Sequence, residues 1–214
     1  MNRAVIWDLD GTLVDSADYH WRSWRETLAG EGIVLTYDQF LASFGQRNDR
    51  ILRGWLGEDA DPERIRRIGD TKEELYRTLA RQEGLEPLPG AVAWLQRLDE
   101  EGWRQAIASS APRLNVDTMV GAIQCERFFA AVVAAEDVHR GKPDPEIFLT
   151  AARRLAVPPV RCVVVEDAEA GVRAAHAAGM RCIGVSRGGP LAADIVAASL
   201  AELPRDAFSA LIAE

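Results

Sequence analysis

Short apolar runs that end in polar residues recur along the chain and alternate with helical patterns. Residues 4–7 are wholly apolar and lead directly into Asp8. Runs of this length are typical of strands buried on both faces of a parallel sheet. The alternation predicts an α/β fold with a doubly wound, Rossmann-like parallel sheet, whose functional groups collect at the carboxyl ends of the strands. The further predicted strands are 104–109, 131–135, 161–165 and 181–185, and the helices between them are 90–101, 112–122, 145–155 and 168–178.

One long stretch has helical patterns only. It begins after the first strand and ends at the stiff Pro87-Leu88-Pro89-Gly90 link, where the α/β rhythm resumes. We therefore predict an α-helical cap at residues 16–86, inserted into an α/β core formed by residues 1–15 and 87–214. The chain length of 214 residues suits one domain with an insert of this kind. The helices predicted within the insert are 17–30, 37–44, 48–56 and 61–83.

Composition excludes several classes of protein. The formal net charge is −8, which disfavours sequence-independent binding to nucleic acids. No apolar run approaches the roughly 20 residues that span a bilayer, and the N-terminus lacks a signal-peptide pattern. The cysteines are an odd number without CxxC spacing, which predicts a reducing, cytoplasmic setting rather than a disulfide framework or a zinc site. The sequence does not determine an oligomeric state, and a monomer is the working expectation. The cysteines are Cys125, Cys162 and Cys182.

Polar clusters follow four of the predicted core elements. Two carboxylates just beyond a buried strand are costly unless they are paired or bind a cation. Each cluster alone has an ordinary explanation, such as a turn, a helix N-cap or a solvated charge. Four such clusters in one sheet favour a shared functional site. They are Asp8 with Asp10 and Gly11, Ser109 with Ser110, Lys142, and Glu166 with Asp167.

Lysine is rare in this chain. The 25 basic residues comprise 23 arginines and two lysines, Lys72 and Lys142. A guanidinium cannot replace a compact ammonium where geometry is tight. Lys142 lies in the rigid segment Gly141-Lys142-Pro143-Asp144-Pro145, which makes it a candidate anion-binding group.

In this order, the four clusters resemble the four motifs of the haloacid dehalogenase superfamily of phosphotransferases across essentially the whole chain. The helical insert resembles the cap of the β-phosphoglucomutase-like subgroup. The resemblance implies that Asp8 is a nucleophile that forms an aspartyl-phosphate and that Asp10 is the general acid and base. It also implies that Ser109, Ser110 and Lys142 hold the phosphoryl group. The implied Mg²⁺ ligands are Asp8, Asp167 and the backbone carbonyl of Asp10, and Glu166 supports the ion directly or through water.

The same resemblance suggests substrate-binding residues on the cap side. His20 lies in a segment similar to the first cap helix of the subgroup, and Arg47 in one similar to its specificity loop. Lys72 lies where the subgroup has a cap lysine, and Arg113 follows the second motif one residue later than the subgroup's usual cation. Trp24 is better explained as cap core. We further hypothesise that the links at residues 14–17 and 86–90 are hinges on which the cap opens and closes.

The second motif bears on the reaction. Ala111 and Pro112 lack side-chain donors at positions where the mutases hold a second phosphate. This favours a phosphatase that acts on a small phosphorylated metabolite, a sugar or polyol phosphate. A β-phosphoglucomutase-type mutase remains an alternative, and a phosphonate hydrolase that uses Lys72 for a Schiff base is a more distant one. A dehalogenase would need neither Asp10 nor the metal carboxylates, and a non-enzymatic module would not need Asp8.

Overall fold

Among the described residues, a six-stranded, fully parallel sheet lies at the centre of the molecule. The computed structural model describes residues 2–186 and 189–212. Residue Trp7 at the end of the first strand lies opposite Ile107 on one side and Val165 on the other. The strand order is β3-β2-β1-β4-β5-β6, which confirms the predicted doubly wound α/β fold. The strands are β1 (Ala4–Trp7), β2 (Arg104–Ala108), β3 (Ala131–Val133), β4 (Cys162–Glu166), β5 (Arg181–Val185) and β6 (Ile195–Ala197).

Four helices fill the segment between β1 and Pro87. The last of them is long and has clear boundary signals. The Asp61 side chain accepts a hydrogen bond from the Glu63 N–H (3.2 Å), Pro62 is the first helical residue, and Gly84 follows the helix with a φ of 83°. Its first half packs in the cap and its second half, through Tyr76, joins the hydrophobic cluster of the core. These helices are α1 (Ala17–Gly30), α2 (Tyr37–Ser43), α3 (Asn48–Leu56) and α4 (Pro62–Glu83).

The remaining helices cover both faces of the sheet. Val5 and Trp7 of β1 belong to one hydrophobic cluster, and Ala4 and Ile6 belong to the other. This alternation follows from the two-residue period of a strand. Three of the helices (α5, α6 and α9) pack on the first face, and two (α7 and α8) on the second. They are α5 (Ala91–Glu100), α6 (Arg113–Ala122), α7 (Glu146–Leu155), α8 (Glu169–Ala177) and α9 (Ala207–Leu211).

The strand β6 and the helix α9 were not among the predicted elements. Strand β6 has three residues at the edge of the sheet and is only partly buried. Such a segment has too few residues to show periodicity, and its pairing with β5 forms it.

The topology places a crevice at the centre of the sheet. The chain runs outward from β1 to β2 and β3, and β4 then returns to the other side of β1. The loops after β1 and β4 therefore diverge, and open α/β sheets bind ligands in such a crevice. The two links to the helical segment are hydrogen-bonded to each other, from Asp15 N to Glu86 O (3.1 Å) and from Leu88 N to Leu13 O (2.8 Å). Among the described helices, none has the length and apolar character needed to cross a membrane.

Candidate active site

Three carboxylates meet at the central crevice. Asp8 follows β1, Glu166 ends β4, and Asp167 comes next. One oxygen of each lies within 4.8 Å of the others. Gly11 lets Asp167 lie close to the loop after β1. The φ of Gly11 is 77°, and a Cβ there would lie 2.1 Å from Asp167 Oδ2.

A buried ammonium faces this cluster. Lys142 Nζ donates to Asp8 Oδ1 (2.5 Å) and to Glu166 Oε1, and the residue is only 3% exposed. Burial alone would lower the pKa of Lys142, but the attraction of Asp8 and Glu166 raises it above its ordinary value. The Lys142 side chain therefore stays protonated, and it contacts Asp8, the predicted nucleophile.

The cluster holds more carboxyl groups than the Lys142 ammonium alone can neutralise when they are ionised. Burial raises the pKa of Asp8 to about 8, and repulsion from Glu166 adds to the effect against the attraction of Lys142. Burial and the neighbouring carboxylates Asp8 and Glu166 also raise the pKa of Asp167 well above its ordinary value. Three converging carboxylates with one ammonium suit a hard divalent cation, for which carboxylate oxygens are the preferred ligands. The residues present therefore fit Mg²⁺.

The Asp10 side chain points to the cap rather than to the three carboxylates. Its Oδ1 accepts from Ser16 Oγ (2.6 Å) and lies 2.8 Å from His20 Nε2. Burial would raise the pKa of Asp10, but the hydrogen bonds from His20 and Ser16 and the attraction of the nearby Lys72 ammonium lower it. The side chain of Asp10 is thus directed away from the predicted Mg²⁺ ligands. The family resemblance implied only the backbone carbonyl of Asp10 as a ligand.

His20 and Lys72 form a chain that ends at Asp10. Lys72 Nζ lies 2.7 Å from His20 Nδ1. Because an ammonium can only donate, Nδ1 accepts, and the ring proton lies on Nε2, which faces Asp10. The His20 ring also stacks on Tyr76 with centroids 4.2 Å apart, which fixes its plane.

A buried glutamate continues this chain, and no sequence pattern pointed to it. Glu73 Oε1 accepts from Lys72 Nζ (2.9 Å) and Asn48 Nδ2 (2.5 Å), and Oε2 accepts from Asn115 Nδ2. Asn115 Oδ1 in turn accepts from Arg77 (2.8 Å). Each of these residues occupies an ordinary polar position on a helix. No local signal in the sequence therefore distinguishes them from exposed polar residues.

A small cavity of about 40 Å³ lies between the cap and the strand ends. Asp8, Asp10, Ser109 and Ser110 line it from the core. Ser109 Oγ accepts from Ala111 N (3.1 Å), whereas the buried Ser110 hydroxyl has no hydrogen-bond partner among the described residues. An outer cleft of about 370 Å³ adjoins this cavity, and Asn48, Glu73 and Ser110 line both.

Two predicted substrate-binding cations lie outside the small cavity. Arg47 donates to the carbonyls of Ala135 (3.3 Å) and Val138 (3.1 Å), which fastens the cap to the core. Arg113 is bound to Asp137 and to the carbonyl of Val132. His20 and Lys72 do line the cavity, together with the cap-core residue Trp24.

Comparisons with known proteins agree with this architecture. The chain is 34% identical to a β-phosphoglucomutase from Bacillus subtilis (strain 168), over 94% of this chain and 91% of that protein. It is 32% identical to the fructose-1-phosphate phosphatase YqaB of Escherichia coli (strain K12), over 85% of this chain and 95% of that protein. A crystal structure of β-phosphoglucomutase from Clostridium difficile superposes with a TM-score of 0.86 at 28% identity, covering 99% of this chain and 97% of the other.

Other curated relatives are longer than this chain. Two from Arabidopsis thaliana match it over only 18% and 55% of their own lengths. The family model that describes haloacid dehalogenase-like hydrolases matches residues 2–179. The fold, the strand-end cluster and this match lead to one conclusion: the chain belongs to the haloacid dehalogenase-like hydrolases.

Proposed function

We propose that this hydrolase releases phosphate from a sugar or polyol phosphate through an aspartyl-phosphate on Asp8. The observation that carries the proposal is the arrangement of Asp8, Asp10 and Lys142 at the closed crevice. Asp8 contacts a permanent cation, and Asp10 borders the same cavity from a separate hydrogen-bonded position.

In the first step Asp8 attacks phosphorus, the bond from phosphorus to the substrate oxygen breaks, and Asp10 donates a proton to that oxygen. Lys142 and the Ser109 and Ser110 groups would bind the phosphoryl oxygens, whose negative charge Lys142 offsets. In the second step Asp10 takes a proton from water, which attacks phosphorus and frees Asp8 and inorganic phosphate.

The surroundings of Asp10 suit both steps. His20 and Ser16 hold it as a carboxylate in the substrate-free site, which is the form that accepts a proton from water. Both contacts use Oδ1. A bound phosphate dianion would raise the pKa of Asp10 by repulsion and so favour the protonated form that the first step needs.

We propose that Asp8, Glu166 and Asp167, with the backbone carbonyl of Asp10, hold Mg²⁺. When bound, the ion would reduce the repulsion between the Asp8 carboxylate and the phosphate dianion.

The cations on the cap side already have partners within the protein. This supports water, rather than a second sugar phosphate, as the acceptor of the phosphoryl group. A mutase must hold a second phosphate, yet Arg47 and Arg113 are bound to core carbonyls and to Asp137. Lys72 is neutralised by Glu73. The hydroxyl-rich remainder of a sugar or polyol monophosphate needs no such cation.

The relatives' names agree with this substrate class in part. A fructose-1-phosphate phosphatase supports a sugar phosphate, and a β-phosphoglucomutase keeps the mutase as the second candidate. A phosphonate hydrolase is disfavoured, because Lys72 is engaged with Glu73 and His20 rather than presented as a free amine.

The test is a panel of phosphorylated sugars and polyols with Mg²⁺, in which released phosphate and isomerised sugar are measured together. We expect phosphate release. The proposal would be contradicted if β-glucose 1-phosphate were converted to the 6-phosphate faster than it loses phosphate. Asp8→Asn should reduce release to background. The matched control is Asp18→Asn on α1, an exposed acid (69% for its side chain) whose loss should leave the rate unchanged.

A further inference from the structure

We propose that Glu73 is a positioning residue that couples closure of the cap to the alignment of Asp10. Its carboxylate joins Asn115 of the core to Lys72 of the cap, and Lys72 continues through His20 to Asp10. The inference rests on the proposed role of Asp10 as acid and base.

The contacts of Glu73 cross the boundary between cap and core. Glu73 lies on α4, a cap helix, and its Oε2 is bound by Asn115 of α6 on the core. Its Oε1 is bound by Lys72 and by Asn48 of α3. Glu73 is 5% exposed and Asn115 is fully buried, so both side chains are largely removed from solvent when α4 lies against α6.

This junction determines where Lys72 directs its protons. Lys72 is 1% exposed and donates to Glu73 Oε1 and His20 Nδ1. Holding the ammonium between these acceptors keeps the His20 proton on Nε2, directed at Asp10 Oδ1 (2.8 Å). Movement of α4 away from α6 would free one oxygen of Glu73 and loosen the whole chain.

The energetics suit a reversible latch. Hydrogen bonds to a carboxylate are stronger than neutral ones inside a protein. In an open cap, water replaces the lost donor, so the net difference between the open and closed states stays small. Attraction to Lys72, with the Lys72 and Asn48 hydrogen bonds, lowers the pKa of Glu73 against the effect of burial, so the group is ionised as this role requires.

The geometry suggests a compensating pair of substitutions. In Glu73→Gln the carbonyl oxygen can still accept from Lys72 and Asn48, but the new amide then faces the amide donor of Asn115. Asn115 cannot simply rotate its amide, because its oxygen accepts from Arg77. Adding Asn115→Asp restores an acceptor for both the new amide and Arg77. Glu74→Gln on the same helix is the matched control, since Glu74 is exposed.

The first readout is the nitrogen-15 NMR spectrum of the His20 ring in the substrate-free protein. We expect Nε2–H signals in the wild type and in E74Q, a mixed tautomer in E73Q, and recovery in E73Q/N115D. Unchanged His20 signals in E73Q would overturn the inference whatever the substrate is.

The second readout compares kcat/KM for a sugar phosphate and for p-nitrophenyl phosphate, whose leaving group needs no proton. Because general acid catalysis contributes roughly 10²-fold or more, E73Q should lower the sugar phosphate value by about tenfold or more and the aryl value little. The double variant should regain most of the loss. Equal losses for both compounds, or no recovery, would refute the coupling to Asp10. Failure of the wild type to hydrolyse either compound would instead contradict the proposed function, which the His20 spectra do not depend on.

Discussion

The two lysines are buried against carboxylates in different parts of the molecule. Lys142 is paired with Asp8 and Glu166 of the core, whereas Lys72 is held by Glu73 and His20 of the cap. An ammonium fits these positions because it is compact and offers several donors to nearby oxygens and nitrogens. The surrounding partners therefore decide which lysine is a candidate for binding phosphate and which one orients a histidine.

Removing the ammonium of Lys142 should expose the repulsion within the carboxylate cluster. We expect Lys142→Met to lower the free energy of unfolding by about 3 kcal/mol without divalent cations, because two buried carboxylates lose their partner. Added Mg²⁺ should restore part of this loss. Chemical denaturation with and without Mg²⁺ measures both effects, and Arg140→Met, at an exposed neighbour, should change stability by less than about 0.5 kcal/mol.

Gly171, in the first turn of α8, is essential for the position of Glu166. A Cβ there would lie 1.9 Å from the Glu166 carboxyl carbon and 2.0 Å from its Oε1. Gly171→Ala should therefore displace Glu166 and weaken Mg²⁺ binding by about tenfold or more, the range seen when groups that orient a metal ligand are lost. Titration calorimetry tests this. Gly54→Ala on α3 is the control, since a Cβ added there would meet no atom within 4 Å; equal affinities for the two variants would contradict the expectation.

At the scale of elements, the ends of strands and helices position the functional groups. The strands β1 and β4 deliver Asp8 and Glu166 to one edge, and α4 delivers Lys72 and Glu73 from above. At the outer edge of the sheet, side-chain contacts hold the segment before β6 against β5. Asp194, just before β6, accepts from Cys182 N (2.8 Å) and Arg181 (2.7 Å) of β5.

The contacts of Asp194 at the outer edge of the sheet predict a contribution to stability that depends on pH. Burial opposes ionisation of Asp194, but the hydrogen bonds from Cys182, His176 and Arg181 lower its pKa below the ordinary 3.8. Since the folded-state pKa lies below the unfolded one, the stabilisation is present above about 3.8 and is lost as the pH falls through the lowered pKa. Asp194→Asn should therefore cost about 1–2 kcal/mol near neutral pH, with a difference from the wild type that shrinks in acid.

Urea denaturation across this pH range measures that difference. Asp117→Asn on the exposed side of α6 is the control and should show no such trend. A constant difference between Asp194→Asn and the wild type at every pH would mean that the carboxylate charge does not stabilise this edge.

At the scale of the whole molecule, the closed cap leaves little room for a substrate. The inner cavity of about 40 Å³ is smaller than the 300–1,000 Å³ typical of small-molecule sites. The paired links at Asp15 and Glu86 join the cap to the core at one side, and Arg47 binds the core at another. We therefore predict that the cap opens before a substrate enters.

A disulfide across the Arg47 contact tests this requirement. The Cβ of Arg47 lies 3.9 Å from the position that a Cβ at Gly141 would take, within the range for disulfides of about 3.5–4.5 Å. We expect the Arg47→Cys, Gly141→Cys protein to lose phosphatase activity on oxidation and regain it on reduction. Each single variant, which cannot form this bond, is the control. Equal activity of the oxidised and reduced double variant would show that substrate enters without cap movement.

Much of the fold was predictable from local patterns, and the limits have physical causes. The cap helix α1 was predicted with the bounds it has, because its periodicity and the turn at Gly32 are local signals. The edge strand β6 was not predicted, because three half-buried residues become a strand only by pairing with β5. Asp8 and Glu166 could be placed together since parallel strands end at a common edge.

By itself the sequence determined the α/β class, the all-helical segment after β1, and the residues that meet at the strand ends. Only the tertiary structure decided the partners of the cap residues. Glu73 and Asn115 are 42 positions apart, and their contact depends on how α4 lies against α6. Such pairings follow from helix packing, in which a small rotation exchanges one polar partner for another. The strand-end cluster could be read from the chain because pairing in a parallel sheet leaves much less freedom.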